Sequence, residues 1–157
     1  MQRAREFIRH HQRWLIVGLL FVMAMVNNLD RQALSVLAPT LRERLGFGPV
    51  EYSYIVSAFL AAYTIGYLFC GRILDRLGVK VGLAIALAFW SLAGIGHAFA
   101  AGWVGLMVCR FLLGLGESFN SPGGIKAIAE WVPVRERALS TAVFSNGNIM
   151  GAILAPP

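Results

Sequence analysis

Charge is scarce in this chain. Only 14% of its 157 residues are Asp, Glu, Lys or Arg, against 57% hydrophobic residues, whereas soluble domains carry about 25% charged residues. That balance excludes a water-soluble globule of this length. Cysteine is nearly absent. Cys70 and Cys109 each sit in an apolar run with no CxxC or metal-ligand spacing, which excludes a disulfide framework and a zinc site. The three histidines include the adjacent pair His10 and His11 in a basic, solvated tail, which carries no metal motif. His97 stands alone near the outer end of a span, where a hydrogen-bonded interfacial residue is expected rather than a proton carrier. Acids number eight against fourteen bases, a net charge of +6 and a pI near 10.0. Such a balance would suit nucleic acid, yet the bases lie at the ends of apolar runs and form no stripe, so nucleic acid is excluded as a partner.

What the chain has is long apolar runs and a mean hydropathy of +0.65. Several runs reach the ~20 residues needed to cross hydrocarbon, so the fold class is an all-α polytopic membrane protein with the lipid bilayer as its partner. The first run is too long for a signal peptide and no small-residue cleavage site follows it. Spans are expected over about 14–39, 52–70, 81–100, 103–131 and 138–157, after a basic tail at 1–13. Ten of the Lys and Arg residues fall in the tail, the 71–80 turn and the 126–137 region; the 40–51 loop holds two. By the positive-inside bias the amino terminus is cytoplasmic.

The remaining two bases, Arg31 and Arg110, lie inside spans. A charge at bilayer depth costs at least ~2.5–3.5 kcal/mol and normally faces a bundle interior or a watery cavity. Arg110 and Glu117 stand seven residues apart, close to two helical turns, on one face and ~10 Å apart along the axis. Gly114 and Gly116 between them would let a neighbouring helix come close. Pro122-Gly123-Gly124 is expected to disturb the same span. Asp30 and Arg31 are sequence neighbours and therefore point ~100° apart, so each seeks a partner on another helix or a ligand. Mid-span Tyr63 needs a hydrogen-bond partner for its phenol. Asn146 and Asn148 place amides in the last span. Arg31 and Arg110 are expected at similar depth, where these groups would share one cavity near the midplane, as in secondary transporters.

Two sets of residues carry a family resemblance. Gly71, Asp75, Arg76, Gly78 and Lys80 match the G-x-L-x-D-R-x-G-R/K-R/K loop between helices two and three of the major facilitator superfamily, with Ile73 and Val79 differing. Asn28-Leu-Asp30-Arg31 and the stretch from Arg110 through Pro122-Gly-Gly to Trp131-Val-Pro133 and Arg135-Glu136-Arg137 resemble its anion:cation symporter family. The second stretch and Ala155-Pro-Pro look most like bacterial hexuronate transporters. The resemblance implies a partial major facilitator fold, four transmembrane helices plus the start or most of a fifth, in the bacterial cytoplasmic (inner) membrane. It implies that Arg31 binds a substrate carboxylate while Tyr63 and Asn148 hydrogen-bond its hydroxyls; Asn28, where many relatives have Tyr, and Asn146 are further candidate substrate-binding residues. Asp30 and Glu117 would be the proton-coupling carboxylates, with Arg110 modulating Glu117; the 71–80 residues would form a cytoplasmic gate. A sugar acid needs one cation and several hydroxyl partners, and Arg31 with Tyr63, Asn146 and Asn148 supplies those types.

The expectation is therefore proton-coupled symport of an organic anion, a hexuronate or related sugar acid, by alternating access and without a cofactor. Such transporters have about twelve spans in two halves, so the chain is expected to be the amino-terminal part, 14–157 forming most of one half, with missing carboxy-terminal helices as partners. Facilitated exchange or efflux of another anion, and a non-transporting protein that needs a partner half, are the competing readings. An intramembrane acid–base enzyme using Asp30 and Glu117 is a third reading, disfavoured by the lack of a nucleophile, metal cluster or cofactor motif, and formation of a product from a sugar acid would revive it. The topology has a direct check. Arg44→Cys is expected to react with a membrane-impermeant maleimide on intact cells, and Arg135→Cys only after permeabilisation; the reverse pattern would invert the orientation.

Overall fold

The computed structural model describes the backbone of residues 2–155 and the side chains of residues 12–155. Arg3, Arg5, Arg9, His10 and His11 of the basic tail have side chains outside the described residues. Among the described residues there are six α-helices: α1 (Gln2–Leu45), α2 (Pro49–Leu77), α3 (Val79–Gly96), α4 (Trp103–Glu117), α5 (Asn120–Trp131) and α6 (Val134–Leu154), with a 3-10 turn at His97–Phe99. Gln12–Leu45, Pro49–Leu77 and Val79–Phe99 are long and apolar enough to cross a membrane.

The helices are longer than the apolar runs. The first span does not stop at 39: α1 continues past Pro39 to Leu45 and ends at Gly46, whose φ of 64° only glycine adopts freely. The Gly46 N–H closes this end by donating to the Arg42 carbonyl at 2.9 Å. The expected 40–51 loop shrinks to Gly46-Phe47-Gly48, because Pro49 opens α2 at a position that needs no N–H, and the Glu51 carboxylate accepts the Gly48 N–H at 2.9 Å. The expected 71–80 turn is a single residue, Gly78, at φ 76°. Arg72, Asp75 and Arg76 ride on the last turns of α2, and Lys80 on the first turn of α3.

The interruption after α4 also lies elsewhere than expected. It falls at Ser118-Phe119, before the Pro-Gly-Gly, where the Phe119 N–H reaches back to the Gly116 carbonyl at 3.4 Å. Pro122 then sits in the first turn of α5, where a missing N–H breaks no helical bond. α6 starts at Val134 rather than 138. Arg137 from its first turns donates through Nε to the Val132 carbonyl at 3.0 Å and through its terminal nitrogen to the Ala129 carbonyl at 2.5 Å, capping the end of α5.

The chain forms two compact units, Met1–Gln32 with Gly124–Pro157, and Ala33–Gly123. In the second, α4 packs against α2 and α3 through small residues. A Cβ on Gly114 would lie 2.6 Å from the Phe59 carbonyl oxygen, and one on Gly116 would lie 2.8 Å from the Trp90 Cβ. Gly66 of α2 meets the Ser118 hydroxyl. In the first unit, Gly147 and Gly151 of α6 lie against the Phe21 and Met25 carbonyls of α1. Lipid supplies no hydrophobic drive between helices, so close van der Waals approach at small residues holds such packings together. Gly114→Val and Gly147→Val are each expected to cost ~1–3 kcal/mol by overpacking, seen as a lower Tm of the detergent-purified protein. Gly71→Ala, with nothing within 4 Å of the added methyl, should melt with the unmodified protein; equal Tm for all three would refute this packing.

Candidate functional site

The buried face of α4 consists of Leu106, Arg110, Leu113, Gly114, Gly116 and Glu117. Arg110 is 5% exposed and Glu117 is fully enclosed at 0%. The two-turn spacing therefore sets a guanidinium and a carboxylate on the inward side of one helix, with glycines between them that admit α2 and α3.

α2 supplies the wall facing Arg110. Its buried stripe runs Ile55, Phe59, Ala62, Gly66, Cys70 and Leu74, spaced at helical period. The Arg110 guanidinium carbon lies 6.0 Å from the Phe59 ring centroid, at the outer edge of cation–π distance. Phe59 stacks on Tyr63 with centroids 6.0 Å apart, and Tyr63 is 6.0 Å from Tyr67. Arg110 and Tyr63, singled out separately in the sequence, thus meet through Phe59. His97 is hydrogen-bonded through its Nδ1 to the Ala93 carbonyl one turn earlier, at 2.8 Å.

In the other unit, the Asn28 amide donates to the Asn148 side-chain oxygen at 3.1 Å, joining α1 to α6. Gly151 allows this approach, since its missing Cβ would lie 2.8 Å from the Asn28 Cβ. Asp30 and Arg31 follow within one turn on α1, both half-buried. Asn146 is exposed; two residues from Asn148, it projects ~200° away around α6 and does not join the pair. Gly71, Asp75, Arg76, Gly78 and Lys80, expected from the resemblance to form a gate, are exposed at and around the α2–α3 turn.

Sequence reasoning passed over Asn27. It is 1% exposed, and its side-chain nitrogen has no hydrogen-bond acceptor among the described residues. The signal was present: Val17, Leu20 and Ala24 are the buried stripe of α1, and the same period leads to 27. Among the described residues no group of His, Cys, Asp or Glu could hold a metal ion.

Arg110 and Glu117 thus lie on the buried, glycine-packed face of α4, beside the row of aromatic rings on α2. The profile of the Major Facilitator Superfamily matches residues 20–157, and the chain belongs to that superfamily. It is similar to a galacturonate transporter of Dickeya chrysanthemi, 41% identical over 145 residues, covering 92% of this chain and 42% of that protein. A hexuronate transporter of Escherichia coli (strain K12) is 37% identical over 92% of this chain and 34% of its own length. A probable galactarate/D-glucarate transporter of Bacillus subtilis (strain 168) is 36% identical over 92% of this chain and 33% of its own length. The chain therefore spans about a third to two fifths of the length of these curated relatives. A solved bacterial homologue of the human lysosomal transporter Spinster, inward-facing and unoccupied, superposes with a TM-score of 0.84 at 19% identity, covering 91% of this chain and 30% of that one. The fold is a partial major facilitator fold.

The Asn28–Asn148 bond yields a prediction of its own. Interhelical hydrogen bonds in membranes average about 0.6 kcal/mol and reach ~1.7. A double-mutant cycle with Asn28→Leu and Asn148→Leu should show coupling of that size in thermal stability, and strictly additive effects would remove the bond from the account.

Proposed function

We propose that the chain forms part of a proton-coupled symporter that carries a hexuronate or related sugar acid across the bacterial inner membrane, with its amino terminus cytoplasmic. The observation that carries the coupling is the buried α4 face bearing Arg110 and Glu117. A carboxylate held on the same face as a guanidinium changes the charge of its surroundings when it takes up a proton, and so gives the protonated and deprotonated proteins different preferred conformations. Asp30 offers a second carboxylate beside Arg31, a fork of donors suited to a substrate carboxylate. Asn28 and Asn148, already paired with each other, offer amide donors and acceptors of the kind sugar hydroxyls bind. In the outer-facing state, proton and anion enter together; release on the other side follows when the proton leaves Glu117.

The named specificities of the relatives support a sugar acid as substrate. Their length, of which the matched part is 33–42%, supports a transport unit that a second set of helices completes, within the same polypeptide or from another. Exchange and efflux use the same cavity without a net proton requirement, and the test separates them.

In membrane vesicles from cells producing the protein, an imposed inward proton gradient should drive galacturonate accumulation. Glu117→Gln should abolish that accumulation while preserving counterflow of preloaded substrate. Arg31→Ala should abolish both, because it removes the anion's partner. Equal loss of accumulation and counterflow in Glu117→Gln would assign Glu117 to binding or folding instead.

A further inference from the structure

The break between α4 and α5 sets two enclosed polar side chains three residues apart. Glu117 closes α4 and Asn120 opens α5; they are 0% and 4% exposed. Between them the Phe119 N–H donates to the Gly116 carbonyl at 3.4 Å, the i to i+3 step of a 3-10 turn, in which side chains three residues apart eclipse. Helical neighbours at that spacing have Cβ atoms about 5–6 Å apart, within reach of a carboxyl and an amide.

The Asn120 Oδ1 is buried and accepts no hydrogen bond among the described residues. An asparagine at a helix start ordinarily caps it by accepting a backbone N–H two or three residues on. Here that use is closed: residue 122 is a proline, and the Gly123 N–H donates to the Phe119 carbonyl at 2.9 Å. The Ser118 hydroxyl, a side-chain donor between the two residues, is committed to the Leu115 carbonyl at 2.7 Å. A carboxylate only accepts, whereas a protonated carboxyl carries one O–H donor. Glu117 and Asn120 Oδ1 are therefore two acceptors that can bond each other once a proton arrives. The other ionisable groups of the surrounding elements are Arg110 on α4 two turns earlier, Tyr63, Tyr67 and Cys70 on α2, His97 after α3, and Lys126 six residues along α5. The buried stripe of α3 itself carries no ionisable residue.

We propose that Asn120 is a positioning residue for the proton on Glu117: its amide oxygen accepts the hydrogen bond of the protonated carboxyl and so stabilises the loaded state. The inference rests on Glu117 as the proton carrier and names the group that receives its O–H. The proton stays on the carboxyl throughout, and its departure breaks the Glu117 O–H bond and the hydrogen bond to Asn120 together. The helix break acquires a use, since a regular α-helix would offset the two side chains by ~60° and the tighter turn sets one over the other.

Infrared titration of the intact protein in lipid tests it. The Glu117 carbonyl band of each protein is read as the difference from the same protein carrying Glu117→Gln. Asn120→Leu removes the acceptor and should move the appearance of the band to lower pH by about half to one unit. Asn120→Asp keeps the shape but sets a second carboxyl beside the first, and should move it to higher pH, because two adjoining carboxyls resist ionising together. A loss of packing alone would not shift the two variants in opposite directions. Unshifted bands, or shifts of one sign, would overturn the proposal and leave Glu117 as the proton carrier. Should Asn120→Leu fail to fold, the near-isosteric Asn120→Asp decides by itself, and no rise there overturns the proposal. A missing Glu117 band in the unmodified protein would instead remove the proton reading, and this proposal with it.

Discussion

A guanidinium and a carboxylate cannot face lipid without a large cost, and α4 carries one of each two turns apart. Both are enclosed by protein. Much of the surrounding sequence follows from that demand. Gly114 and Gly116 stand between the charges so that α2 and α3 can close over them, and the backbone carbonyl of Phe59 approaches Gly114 within the space a methyl would take. Phe59 then faces Arg110 with its ring, and Tyr63 and Tyr67 continue the aromatic row toward the α2–α3 turn. Packing and site are one arrangement here, since the small residues that hold the helices together are also those that admit the charges.

The unit built from Met1–Gln32 and Gly124–Pro157 repeats the logic with amides. Gly147 and Gly151 bring α6 onto α1, and the contact is finished by the Asn28–Asn148 bond. An amide pair of this kind is strong enough to register two helices.

The charged face of α4 was legible in the sequence because a seven-residue spacing fixes a shared side whatever the tertiary context. Helix ends were less legible. Residues 40–45 and 71–77 have the composition of loops, yet a helix that outruns the bilayer carries charge in its last turns without unwinding, and only Gly46 and Gly78 mark where the backbone must turn. Pro122 and the two glycines after it looked like the breaking point of a span; the break precedes them because a proline is at home in a first turn. Asn148 and Asn146 read alike as polar residues of one span. Their two-residue separation puts them on nearly opposite sides, and no periodicity told which side would meet α1. The stripe through Val17, Leu20 and Ala24 did point to Asn27, whose polarity hid its place in the packing.

In the proposed transport cycle, Glu117 is the group whose protonation state changes. Infrared difference spectroscopy of the protein in lipid, between mildly acidic and mildly alkaline buffer, addresses it without a transport assay. The account predicts a carboxylic-acid carbonyl band that appears on acidification and is lost in Glu117→Gln. A band that survives the substitution unchanged, or a Glu117 that keeps one protonation state at both pH values, would contradict it.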